Sequence, residues 1–324
     1  MIKRLDYIDI AKGIGILTVI FSHSGGEKGM MAYIGGFFIP LFFILSGMTY
    51  SNHGERLAVF VSRKFRRLLF PYFFFSIVLL IVYRHFSVTD VLGVFYSRYC
   101  LYPFHVSPNI SFMESGNAPL WFLTAMFSSL VLFRIFPDNK KAQYWLIGAY
   151  VALICFSVYL PILLPWSIDT AFLFSLFIYI GTKLKSVDWD RLDFLKFFLL
   201  VAIYFALCYI NGKPNLSVRE YGLSFVLILF TGTLGTMIII KVSQWLEKSI
   251  LRTALVAFGQ HSLTIFCIQM LLLRIQNHLI FDLMGLPLNT CTLYISSITK
   301  TIVTACVGVY LSKLLKRYLP LIFK

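Results

Sequence analysis

The chain has 324 residues, 59% of them hydrophobic and 17% aromatic, and a mean hydropathy of +0.81. Charged side chains make up 13%, against about 25% in a soluble globular domain, so a soluble fold is excluded. The formal charge of +15 is spread through loops beside apolar segments, which suits membrane topology and anionic lipid rather than nucleic acid.

Mostly apolar runs of about 20 residues, enough to cross a ~30 Å hydrocarbon core at about 1.5 Å per residue, recur along the whole chain. They predict an all-α polytopic membrane protein with about ten transmembrane helices, near 7–23, 33–50, 68–84, 118–136, 144–160, 167–183, 194–210, 222–241, 254–274 and 291–312. The intervals leave no room for a soluble domain, so 1–324 reads as one integral membrane domain. Lys3, Arg4, the 56–67 loop, Lys140, Lys141, Lys183, Lys185, Arg191, Lys248, Arg252 and the 313–324 tail fall on one side, which the positive-inside rule makes cytoplasmic. Both termini are then inside, and Arg98, Arg219 and Lys300 are among the basic residues left elsewhere.

The first run is interrupted by Asp6, Asp9 and Lys12 and has no small-residue cleavage site after it, so it reads as an uncleaved span. Asp9, Lys12 and His23 are its catalytic candidates, since a charge at a helix centre costs roughly 2.5–3.5 kcal/mol on insertion scales. His23 shares a helix face with Asp9 but stands ~21 Å farther along the axis, too far for a hydrogen bond. It sits in the last turn before Gly25-Gly26, where the helix C-terminus favours an imidazolium and so helps a group that must accept a proton. The competing reading is an interfacial histidine that merely caps the helix.

In the second span Pro40 is a kink, with Gly35, Gly36 and Gly47 as points of close helix approach. The loop that follows places Arg63, Arg66 and Arg67 at i, i+3 and i+4, where like charges repel by ~0.2–0.5 kcal/mol per pair unless something anionic neutralises them. Lipid headgroups would suffice. A multiply phosphorylated cofactor is the sharper candidate, because the guanidinium fork matches phosphate oxygens, and Tyr72 closes the same stretch. The longest outer loop, about 85–117, holds His105, Glu114 and Asn117 and leads into Trp121. Aromatic rings and hydrogen-bonding groups suit a sugar; an interfacial segment with an aromatic belt is the alternative. The six cysteines show no close pairing, and no HExxH, Walker, GxSxG or Cys/His metal spacing occurs, so no metal site is expected.

Four stretches in order carry a family resemblance: Leu5-Asp6-Tyr7-Ile8-Asp9-Ile10-Ala11-Lys12-Gly13 leading to His23, Pro40-Leu41-Phe42-Phe43-Ile44-Leu45-Ser46-Gly47, the 63–72 segment, and Pro119-Leu120-Trp121-Phe122-Leu123. Over essentially the whole chain the sequence resembles the acyltransferase 3 family of integral membrane O-acyltransferases, in its fucose 4-O-acetylase-like branch. The resemblance implies transfer of an acetyl or other acyl group from cytoplasmic acetyl-CoA to a hydroxyl of a cell-surface or lipid-linked glycan, in the plasma membrane. It makes His23 the essential histidine, puts Asp9 and Lys12 on the family's first-helix charged positions, and assigns Arg63, Arg66 and Arg67 to the CoA phosphates and Trp121 to the acceptor side. One departure stands out: Gln269 occupies a late-span position where members often carry a histidine, and it can hydrogen-bond but not take a proton at neutral pH.

A histidine with an ordinary pKa near 6.5 is the usual general base for such a transfer, contributing typically about 10²–10⁴-fold. Direct base catalysis and a covalent acyl-histidine both remain open, as does an oligomeric assembly. The alternative function is a secondary transporter or exporter of a glycan or its precursor. Such folds usually show two similar halves with paired broken helices, whereas here the charged and Gly/Pro-broken segments cluster in the first third.

Overall fold

The computed structural model describes residues 6–25, 29–51, 54–83, 86–106, 108–112, 118–283 and 290–320. Among these no strand forms, and the β pairing is limited to isolated bridges between Cys100 and Ser111 and between Asn215 and Glu220. The helices run α1 Asp6–Ser22, α2 Met31–Ile34, α3 Phe38–Met48, α4 Leu57–Lys64, α5 Phe70–Tyr83, α6 Val88–Tyr96, α7 Trp121–Arg134, α8 Lys140–Val158, α9 Ile168–Leu184, α10 Phe194–Asn211, α11 Phe225–Leu246, α12 Arg252–Gln260, α13 Ser262–Asn277 and α14 Thr290–Tyr318.

Each expected span overlaps helix, but 254–274 is divided between α12 and α13, the membrane-length stretch there running over Ser262–Phe281, and 33–50 is broken between α2 and α3. Eight helical stretches of the described residues are long and apolar enough to cross a membrane; α1, with 17 residues, and α7, with 14, are shorter. The outward faces of α8 and α10 carry Tyr144, Trp145, Phe156, Leu195, Phe198 and Tyr209, all exposed. Water would penalise that surface and lipid does not, so the all-α protein is a multi-pass membrane protein.

The 85–117 interval is not all loop. Ser87 caps α6 by accepting from the Asp90 N–H at 3.1 Å, and the left-handed Ser97 (φ 57°) ends it. Val88, Leu92 and Phe95, at helical spacing, form an exposed apolar stripe. A nine-residue helix is too short to span a bilayer, which is why hydropathy reads it as a loop.

The chain divides into two compact units, Met1–Phe42 with Asp188–Lys213 and Phe230–Leu321, and Phe43–Val187 with Pro214–Leu229 and Ile322–Lys324. In the first, α1 packs backbone to backbone on α12: a Cβ at Gly13 would overlap the Leu255 carbonyl, and one at Gly259 the Asp9 carbonyl. Such approach is how helices associate where lipid supplies no hydrophobic drive. Ion pairing between Arg252 and Asp6 and a bond from the Tyr7 N–H to Glu247 at 2.9 Å tie the start of α1 to the same neighbours.

In the second unit, Gly47 of α3 and Gly181 of α9 face each other, and Phe43 stacks on Phe174 at 4.2 Å between centroids. Asp169, 1% exposed, pairs with both Arg98 and Arg219. The two guanidiniums spend their other N–H groups on loop carbonyls: Arg98 on Leu164 (2.9 Å) and Ser217 (2.7 Å), Arg219 on Leu160 (2.5 Å) and Ile162 (3.0 Å). Burial presses the Arg98 pKa below its ordinary value and the Asp169 carboxylate opposes that shift.

Candidate active site

α1 begins with Asp6 and Asp9 in its first turn, where carboxylates complement the helix dipole. It ends where Ser22 and Ser24 turn their hydroxyls back onto the carbonyls of Val19 (2.8 Å) and Phe21 (2.7 Å), just before Gly25 at φ +96°. His23 sits on that turn, its N–H bonded to the Ile20 carbonyl at 3.1 Å. Its side chain is exposed and has no hydrogen-bond partner among the described residues. Neither ring nitrogen is committed to a bond among the described residues.

Asp9 and Lys12 lie at the other end of the same helix. Asp9 is buried, 3.6 Å from the Lys12 ammonium, and accepts from Gln260 Nε2 at 3.4 Å. The structure does not bring these two together with His23; the helix holds them apart, and Asp9 ties α1 to α12 through Gln260.

Arg66 and Arg67 lie within a π-helical turn, Phe65–Leu69, that joins α4 to α5, and Arg63 is in the last turn of α4 before it. Pro71 accounts for the widened turn: it has no N–H for the Arg67 carbonyl, and its ring would crowd that oxygen in a regular helix. The result is a cavity of about 510 Å³ lined by Ala58, Val59, Ser62, Arg63, Arg66 and Arg67. Arg63 pairs with Glu55, while Arg66 and Arg67 are exposed without a protein partner among the described residues.

Sequence reasoning missed the surroundings of this cluster. The buried Phe60 ring has Arg63 at 5.8 Å, Lys64 at 5.4 Å and Arg134 at 5.7 Å from its centroid, and Arg134 also donates to the Glu55 carbonyl at 2.7 Å. Glu55 and Arg134 are far apart in sequence and carry no local signal. Tyr72 is fully buried and donates to the Val94 carbonyl at 2.6 Å, joining α5 to α6, so it does not line the cavity.

The acceptor-side candidates are dispersed. His105 is exposed in the segment after α6, and Trp121 is 7% exposed, packed against Phe122 and Phe174. Glu114 and Asn117 lie outside the described residues. Gln269, on α13, has no exposed surface, and neither its amide nitrogen nor its amide oxygen has a partner among the described residues. An unpaired buried amide is costly enough to mark a place where a ligand or water completes it.

No curated protein sequence matches the chain significantly. The family profile described as an acyltransferase domain, acyltransferase 3, matches residues 5–315, which takes in α1, the arginine turn, Trp121 and Gln269. By that match over nearly its whole length, the chain is a membrane acyltransferase and belongs to the acyltransferase 3 family.

Proposed function

We propose that this acyltransferase moves an acetyl group from acetyl-CoA to a sugar hydroxyl of a cell-surface or lipid-linked polysaccharide, in the plasma membrane with both termini cytoplasmic. The observation that carries the donor is the arginine cavity: two exposed guanidiniums and a third beside them, on a wall otherwise made of Ala58, Val59 and Ser62. CoA brings a diphosphate and a 3′-phosphate, and arginine forks take such oxygens two at a time. The acceptor class rests on the fucose 4-O-acetylase-like motifs.

His23 supplies the chemistry. As a base, its imidazole takes the proton of the sugar hydroxyl while the oxygen attacks the thioester carbon; the C–S bond breaks, and the imidazolium returns the proton to the departing thiolate. As a carrier, a ring nitrogen first takes the acetyl group from sulfur and then yields it to the hydroxyl. Both routes need an accessible imidazole with unoccupied nitrogens.

The experiment is transfer of radiolabelled acetyl from acetyl-CoA to polysaccharide by membranes containing the chain. His23→Ala should lower the rate by about 10²–10⁴-fold at unchanged protein abundance. Full activity of that variant removes His23 from the chemistry, and no labelled polysaccharide with the wild-type chain removes the proposed reaction.

A further inference from the structure

Lys300 is 1% exposed in the middle of α14, a membrane-length helix, at a position whose charge served the sequence only as a minor topological count. Its ammonium lies 2.5 Å from the carbonyl oxygen of Ser24, the residue after His23, 2.8 Å from Asn277 Oδ1 and 5.5 Å from the centre of the Phe281 ring. Ser297, one turn earlier on the same face of α14, donates to that same Ser24 carbonyl at 3.3 Å. One turn earlier again, the Tyr294 hydroxyl lies against Gly29. A stripe of α14 thus reaches Ser24, with Tyr294 on the same face near Gly29.

The Ser24 hydroxyl and N–H bond back to the Phe21 carbonyl, while the Ser24 carbonyl is taken by α14. α1 ends at Ser22, and beyond His23 and Ser24 comes Gly25, whose left-handed backbone places little restraint on the turn. A carbonyl that accepts from two donors on a long, packed helix cannot swing freely. A buried ammonium is a costly way to join two helices, where apolar contact would do so at less expense. The charge suits a task that packing does worse: fixing one backbone oxygen at the negative end of a helix, and with it the neighbouring side chain.

We infer that Lys300 is a positioning residue for the His23 site, holding through Ser24 the turn that presents the imidazole. The inference rests on the reading of His23 as base or acyl carrier. A shift of about 1 Å at a reacting group costs about 10²-fold in rate, so loss of the clamp should appear in turnover rather than in donor binding.

The test uses the full chain in membranes, with acetyl-CoA as donor. Lys300→Met should lower kcat by about 10²-fold with donor KM within about two-fold of wild type. Lys300→Arg, which keeps a donor and a charge, should recover part of that loss. A readout independent of turnover is the rate at which diethyl pyrocarbonate modifies His23, followed by mass spectrometry; it should change in Lys300→Met and return towards wild type in Lys300→Arg. If Lys300→Met does not accumulate, Ser297→Ala takes over: a fall in kcat at unchanged donor KM supports the clamp, and unchanged kcat overturns it. Full activity of Lys300→Met beside an inactive His23→Ala sinks only the positioning role, whereas an active His23→Ala sinks the reading beneath it.

Discussion

Gly259 of α12 lies against the backbone carbonyl of Asp9 so closely that one added carbon would overlap the oxygen. Neither atom belongs to a flexible side chain, so relief requires α1 and α12 to separate. Gly259→Val should therefore destabilise the protein by at least about 1–3 kcal/mol, the usual cost of overpacking. A melting curve in detergent reads this; an unchanged midpoint would mean that α1 does not rest there.

The arginines should act on the donor alone. Arg66→Ala and Arg67→Ala each remove an exposed guanidinium with no partner among the described residues, so stability should hold while donor KM rises by about tenfold, the equivalent of about 1.4 kcal/mol of lost binding. Arg63→Ala also orphans Glu55 and should cost stability as well. Steady-state kinetics at varied acetyl-CoA separates these effects. An altered acceptor KM with an unchanged donor KM would move the phosphate site elsewhere.

Gln269→Leu should make the ligand-free protein more stable, because an amide buried without partners forfeits about 1–3 kcal/mol that an apolar side chain of similar size does not. The same variant should transfer acetyl more slowly if the amide serves a substrate. A lower melting temperature would show that water or protein already completes the amide.

Asp169 holds two buried cations together. Asp169→Asn keeps the shape but leaves Arg98 and Arg219 facing each other, which should cost about 3–5 kcal/mol. Lower abundance and an early unfolding transition are the expected signs, and Asp169→Glu should recover part of the loss.

Hydropathy made the helices legible because lipid demands long apolar runs wherever the chain crosses it. The same demand hid α6, which is amphipathic and short, and the π turn at Phe65–Leu69, whose one trace in the sequence is Pro71. His23 and the three arginines were readable as ionisable groups in or beside apolar segments. Arg98, Arg219 and Lys300 were counted as charge on a loop or an outer face, yet each is buried and bonded to a residue at least 57 positions away. Their partners are backbone carbonyls, one carboxylate and one side-chain amide, which no periodicity announces. Tyr72 shows the opposite failure: its place in a basic motif suggested a ligand contact, while its hydroxyl is committed to Val94.

The π turn holds one residue more than a regular helical ladder would need. Deleting Leu68 would remove the added residue and swing Arg63 about 100° around the axis relative to α5, leaving Pro71 to face a regular turn. Ordinary substitutions there change a side chain; deletion of Leu68 would leave all three guanidiniums in the protein and still dismantle the basic wall, separating the value of these charges from the value of where they point.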